Sequence, residues 1–317
     1  MKKPILNINN IATFLVLMLL IVVLSILSPS FLRSANLINV MQQVTVNAIV
    51  AIGMTVVILT GGIDLSVGSI IALSGMVMAK LMVEQNVNSG VAIITGLSIG
   101  ALIGVINGVL IAKCKLQPMI ATLGMMQVAR GLDLTLAQGR TVSGFKPFFR
   151  SIGVVNVPGT TIPVQIVLMI ILYLLIFYLL RYRQFGRYIY SIGGNEEATR
   201  LSGINVDTYK ILAYVVCGIT AAVASIVMTA KLNSAVPTAG EGYELDAVAS
   251  SVIGGISLTG GVGSVWGTLM GAMIIGVIKN GLNLLNVSSY LQQVVTGLIV
   301  IAAVLADTFK NKVSNKS

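Results

Sequence analysis

Histidine is absent from the 317 residues, which removes the commonest general base and the commonest transition-metal ligand. Charge is scarce too. Asp, Glu, Lys and Arg make up 9% of the chain, against roughly 25% in a soluble domain, too few to cover a water-facing surface. Cys114 and Cys217 sit in apolar stretches without a CxxC partner, so neither a disulfide framework nor a zinc site is readable. No Gly-Lys pair occurs, and with it goes the phosphate-holding loop of an ATPase. Without histidine there is no Ser-His pair, and Asp64, Asp133 and Asp246 are too scattered to act as paired carboxylates. An intramembrane enzyme is therefore disfavoured, as is an ion-coupled carrier, which needs a titratable cluster near mid-membrane. Neither a metal nor a cofactor is expected.

What remains is apolar. Hydrophobic residues account for 56% of the chain, and the mean hydropathy is +0.96. Charge-free intervals such as 4–32, 34–63, 85–112, 151–180, 247–278 and 280–306 exceed the ~20 residues that cross a hydrocarbon core. The expected fold is an all-α polytopic membrane protein, a single permease-like domain over 1–317. About ten spans are placed near 11–28, 44–60, 66–83, 91–112, 118–137, 162–181, 209–229, 246–256, 264–280 and 289–306. The eighth is short for a full span and reads as a half-helix or a span with misplaced ends. Lys2 and Lys3 precede an apolar stretch longer than a signal core and lacking a cleavage site, so the first helix is expected to be retained.

The 20 basic residues against 10 acidic ones sit at the ends of apolar runs, a topology signal rather than a nucleic-acid footprint. With the amino terminus inside, twelve basic residues fall in inner segments and seven, including Lys231 and Lys279, at the outer face. Both termini are then cytoplasmic.

Gly61-Gly62-Ile63-Asp64-Leu65-Ser66 recurs as Gly254-Gly255-Ile256-Ser257-Leu258-Thr259, matching at four of six positions, which suggests an internal repeat. Glycines at 96, 100, 104 and 108, and again at 263, 267 and 271, step by four and allow close backbone approach. Asp64 either caps the following helix through the amides of residues 66–68 or faces the pathway. Arg130 and Asp133, spaced i, i+3, form either a local ion pair or a substrate contact.

The inner segment 182–208 is about 27 residues, too short for a nucleotide-binding domain. Within it Asn195 can cap a two-turn helix. Glu196 and Glu197 would lie at its positive end, Arg200 near its negative end, and Gly203 at the C-terminal αL position. Such a helix is either a solvated connector or a knob that another protein grips. At the opposite face Arg140, Lys146 and Arg150 contrast with Glu241, Glu244 and Asp246, either as a docking surface or as solvated loops.

The stretches 61–69, 186–204 and 237–247, and the chain from about Asn9 to Asp307, resemble the membrane subunits of bacterial ABC importers for pentoses and related sugars, most strongly those for ribose. The resemblance implies a type II-like importer permease in the plasma membrane. Its partners would be a second copy of the permease, a cytoplasmic ABC ATPase, an external sugar-binding protein and the sugar. Asn195, Glu196, Glu197, Ala198, Arg200 and Gly203 would then form the ATPase-coupling helix, and Arg140, Lys146, Arg150, Glu241 and Glu244 the binding-protein dock. A hydroxyl-rich solute needs neutral donors and acceptors without fixed charge. Gln42, Gln43, Asn47, Asn280 and Asn283, with Asp64, are the candidate pathway residues. D-ribose is the expected cargo, with xylose, arabinose, galactose or a signalling furanoside as alternatives.

Overall fold

The computed structural model describes residues 8–314. Its helices are α1 (Ile8–Leu27), α2 (Ser34–Ile58), α3 (Val67–Val83), α4 (Ser89–Ala112), α5 (Pro118–Ala137), α6 (Pro147–Val154), α7 (Val164–Tyr182), α8 (Gln184–Gly194), α9 (Glu196–Leu201), α10 (Val206–Leu232), α11 (Tyr243–Ile253), α12 (Val265–Leu284) and α13 (Ser289–Ser314). Two short strands, β1 (Val142–Ser143) and β2 (Ser234–Ala235), pair antiparallel.

Five helices, α2, α4, α7, α10 and α12, are long and apolar enough to cross a membrane, and shorter apolar stretches lie in α1, α3 and α13. Large apolar side chains are exposed all around the outside, among them Leu19, Ile26, Ile94, Ile171, Leu298 and Ile301. Water would penalise this surface, whereas lipid accepts it. The inside holds the polar side chains. Thr55 Oγ1 meets Thr268 Oγ1 at 2.7 Å, Asn47 Nδ2 donates to Ser250 Oγ at 2.9 Å, and Ser225 Oγ donates to the Ile71 carbonyl at 2.6 Å. Such bonds join helices where hydrophobic burial gives no preference for one neighbour over lipid.

Helix α2 is the central element, with every residue from Val44 to Ile58 buried between α10, α11 and α12. It begins ten residues before the expected 44, because Asn36, Gln42 and Gln43 lower the apolarity of its first turns without breaking it. Asn36 exchanges amide hydrogen bonds of 3.0 Å with Asn280 of α12, which explains why polar residues are tolerated there. Helix α4 packs most closely on α10. At Gly100 and Gly218 the two backbones touch, so that a Cβ on either would fall on the other's carbonyl oxygen.

The repeated glycine motifs form the same object twice. Gly61 and Gly255 both have positive φ, 79° and 86°. Each is followed by an amide bonded five residues back, Gly62 to Val57 and Ile256 to Ser251. These are paired Schellman ends, on α2 and α11, which glycine permits because αL costs it nothing. The structural offset is 194, one more than the sequence match of 193 suggested. The loop that follows the second turn meets the first, with the Gly261 amide on the Leu59 carbonyl at 3.0 Å. At the same face, Thr13 of α1 donates to the Ile253 carbonyl, and the Leu258 amide donates to Asp307 of α13.

Helix α11 spans only 11 residues. After β2 the chain descends without helix through residues 236–242, then turns into α11. Arg130 of α5 holds the descent, its Nη1 donating to the carbonyls of Pro237 at 2.6 Å and Ala239 at 3.0 Å. The ion pair considered for Arg130 and Asp133 is therefore not formed. The non-helical carbonyls have no backbone donor among the described residues and claim the guanidinium, while both oxygens of the fully buried Asp133 lack a hydrogen-bond partner among the described residues.

Candidate functional site

Two places concentrate the sequence-derived candidates. The first is a cavity of about 290 Å³. Helix α2 supplies Gln42, Gln43 and Asn47, α10 supplies Lys231, α11 supplies Tyr243 and Asp246, α12 supplies Lys279 and Asn283, and α13 supplies Gln292. Four of the six candidate pathway residues thus converge. Asn280 instead closes the amide pair with Asn36. Asp64 is fully buried away from the cavity, where its Oδ1 accepts from the Ser66 amide at 3.0 Å, the Ser66 hydroxyl at 2.6 Å and Asn107 Nδ2 at 3.4 Å. Of the amides at residues 66–68 that it was expected to cap, it takes the first. Ser66 occupies the N-cap position of α3, and Asp64 holds its amide through a tight turn two residues earlier.

The expectation of a lining without fixed charge needs correction. Lys231, Asp246 and Lys279, assigned from sequence to the outer surface, line the cavity, and Lys279 is ion-paired with Asp246. The broken helix brings this about, because it starts α11 inside the protein and turns its first carboxylates inward. The legible signal was Lys279, an isolated charge between two long apolar runs.

The second place is the segment between α7 and α10. Asn195 caps α9, its Oδ1 accepting from the Ala198 amide at 2.9 Å, and Gly203 takes φ +81° just past the helix end. Glu196 binds Arg200 at 3.1 Å and Lys210 at 2.5 Å, and Asp207 binds Arg200 at 3.1 Å and Lys115 at 3.2 Å. Alternating charges thus connect the α4–α5 connector, α9 and α10. Glu197, Ala198 and Leu201 face outward, Leu201 being 81% exposed, while Thr199 is buried.

Helix α8 was not anticipated as a helix. Gly186, Ile189 and Ile192 recur at helical spacing and are buried, and the signal was hidden by the polar residues between them. Its end lies where the turn after α2 meets the loop that follows α11. A Cβ at Gly193 would fall on the Leu59 carbonyl and the Gly261 amide, and Tyr190 donates to the Gly263 carbonyl at 3.0 Å.

Burial works against the charged form of Glu196, but hydrogen bonds and charges from Lys210 and Arg200 outweigh it and hold the carboxyl below its ordinary 4.5. A depressed native pKa contributes stability that is full above the unfolded value and is lost as pH falls through the native one. The pairs are partly exposed, and solvent screens each of them. Amide exchange protection of α9 is expected to be flat from neutral pH down to about 5 and to fall below about 4.5. A flat profile through the carboxylate range would contradict the network.

The outer candidates are spread along one surface. Arg140 and Arg150 are exposed, as is Glu241, while Glu244 is half-buried and accepts from the Gly242 amide at 3.3 Å. Lys146 is used internally, its Nζ donating to the carbonyls of Asn86 and Val87 at 3.2 and 3.4 Å. The β1–β2 pairing of Val142 with Ala235 brings the two loops together. No ion pair joins their opposite charges among the described residues.

The model of the family described as "branched-chain amino acid transport system / permease component" matches residues 36–304. The chain is similar to the ribose import permease protein RbsC of Escherichia coli (strain K12), with 49% identity over 302 residues, 94% of this chain and 93% of that protein. RbsC of Bacillus subtilis (strain 168) is 47% identical over 96% of this chain and 94% of its own length. The D-allose transport system permease protein AlsC of E. coli (strain K12) is 39% identical over 96% and 93%. No solved structure matches. A match over most of the length, on an all-helical chain with an apolar exterior and a polar cavity, makes this protein a member of that family of transport-system permease components.

Proposed function

We propose that the protein is the membrane permease of an ABC importer that carries D-ribose across a bacterial plasma membrane into the cytoplasm. The observation that carries this reading is full-length identity of 49% and 47% to ribose permeases of two distant bacteria, against 39% to an allose permease and 36% to an L-arabinose permease. In this reading the chain is not an enzyme. A separate cytoplasmic ATPase hydrolyses ATP, an external binding protein delivers the sugar, and two copies of the permease form the pathway.

Ten crossings with both termini cytoplasmic fit the hydrogen bonds that tie α1 and α13 to the face of the paired turns. Residues Asn195 to Gly203 dock on the ATPase, with Glu197 and Leu201 on the presented side. Motion of the docked helix passes through α8 and Gly193 to the end of α2 and to the loop that follows α11, and both helices line the cavity at their other ends. Closure of the ATPase then rocks these helices and changes which side the cavity faces. Gln42, Gln43, Asn47 and Asn283 line the pathway, and the outer loops bearing Arg140, Lys146, Arg150, Glu241 and Glu244 receive the binding protein.

The test is ribose uptake by the reconstituted assembly. Uptake is expected only when ATP, the ATPase and the binding protein are all present. Uptake by the permease alone down a proton or sodium gradient would overturn the reading, and preferential uptake of another sugar would reassign the cargo.

A further inference from the structure

We propose that Arg130 is the positioning residue of the cavity. By gripping the non-helical descent at Pro237 and Ala239 it fixes where α11 begins, and so where Tyr243 and Asp246 stand in the cavity wall. The inference rests on the cavity being the transport pathway.

The descent through residues 236–242 satisfies only part of its own backbone. The carbonyls of Val236, Thr238 and Gly240 accept from the amides of Ala239, Glu241 and Tyr243 at 2.9, 3.4 and 3.2 Å. Pro237 and Ala239, both buried, have carbonyls that take no backbone amide among the described residues. Both accept instead from one nitrogen, Nη1 of Arg130, at 2.6 and 3.0 Å. Buried carbonyls are normally paired, so a single side chain of α5 completes the segment.

The path of the descent is not set by its own residues. Gly240 and Gly242 take φ of 77° and 83°, conformations that glycine enters and leaves without steric cost. What fixes them is contact with two other helices. Gly68 of α3 touches Gly240 backbone to backbone, since a Cβ on either would fall on the other's carbonyl oxygen, and Arg130 holds the residues just before. Helix α11 starts directly after, with Tyr243 and Asp246 in its first turn. Both line the cavity, and Asp246 is ion-paired there with Lys279 of α12. A displaced descent therefore displaces the cavity wall. Arg130 is not itself part of that wall, so it acts through α11 rather than on the sugar.

The test reads binding in the whole permease. Leu232 lines the cavity, is 51% exposed and is not a candidate sugar contact. Leu232→Cys in a Cys114→Ser background thus reports occupancy through its rate of labelling by a hydrophilic maleimide, while Cys217 is buried and stays silent. Ribose is expected to slow labelling. In Arg130→Met, about tenfold more ribose is expected for half-protection. An ammonium nitrogen carries three donors and can serve both carbonyls, so Arg130→Lys is expected to lie close to the parent. Gly131→Ala, the next residue on α5, adds a Cβ that meets nothing within 4 Å and is expected to match the parent. Arg130→Gln, which keeps an amide donor on a shorter stem, provides a second loss variant with a shift in the same direction should Arg130→Met not fold. A merely structural role would lower the amount of folded protein without moving the ribose concentration for half-protection.

Half-protection unchanged in Arg130→Met and Arg130→Gln, equally shifted in Gly131→Ala, or no better in Arg130→Lys than in Arg130→Met would overturn the assignment. ATP-driven ribose uptake by the unmodified assembly is a separate readout. If uptake succeeds while ribose fails to protect the parent, this inference fails and the import reading stands. If uptake fails while protection still depends on Arg130, the inference stands and the import reading fails.

Discussion

Valine at Gly193 is expected to cut ATP-driven uptake by roughly 5- to 150-fold, while valine at Gly194, the next residue, leaves it unchanged. The two glycines share a helix end and a sequence context but not an environment. A Cβ at Gly193 lands on the Leu59 carbonyl and the Gly261 amide, which are themselves hydrogen-bonded at 3.0 Å, whereas a Cβ at Gly194 meets nothing within 4 Å. Backbone cannot rotate out of the way as a side chain can, so α8 must lift off the Leu59 turn and the loop at Gly261. Overpacking of this kind costs ~1–3 kcal/mol, and the same energy taken from the coupling equilibrium gives the stated range. The membrane helices do not depend on this contact, so the variant should purify with its thermal stability largely retained. ATP hydrolysis would proceed without matching sugar uptake. Equal uptake by the Gly193 and Gly194 variants would show that α8 does not transmit the stroke.

Where polar residues act locally, they could be read from the sequence. Asn195, Glu196, Arg200 and Gly203 define α9 because capping, dipole complementarity and αL closure operate within one or two turns. The membrane helices were legible for a related reason, since a charge ends an apolar run wherever it occurs. What could not be read depends on contacts across the chain. Glu196 was placed on α9, but its partner Lys210 is fourteen residues away on α10. Arg130 was matched to the nearest carboxylate, whereas the structure gives it two carbonyls more than a hundred residues later. Asp246 and Lys279 looked like surface charges because nothing local reveals that the chain re-enters the protein at 236–242 and starts a helix inside. Helix α8 escaped because its buried positions, Gly186, Ile189 and Ile192, include a glycine that contributes no hydrophobic signal.

The glycine ladder of α4 divides in the same way between spacing and context, and it supports the largest stability effect expected. Spacing alone told that Gly96, Gly100, Gly104 and Gly108 share a helix face; it could not tell which helix approaches. The structure puts Gly218 of α10 directly against Gly100, with Ala222 beside it. In lipid such close approach supplies the packing that hydrophobicity cannot, because tails and leucines are equally apolar. Gly100→Leu must therefore separate the two most extensively packed helices of the protein, and core overpacking with no rotamer escape is expected to exceed ~3 kcal/mol. Gly124 on α5 is the matched control, an exposed helical glycine whose added Cβ meets nothing within 4 Å. Leucine there should be neutral or slightly stabilising, since glycine in a helix interior costs roughly 0.5–1 kcal/mol relative to alanine. Thermal unfolding of the two purified variants in detergent separates these outcomes. A large drop for Gly100→Leu beside an unchanged Gly124→Leu is the expected pair, and comparable stabilities would mean that α4 and α10 are not held by backbone contact.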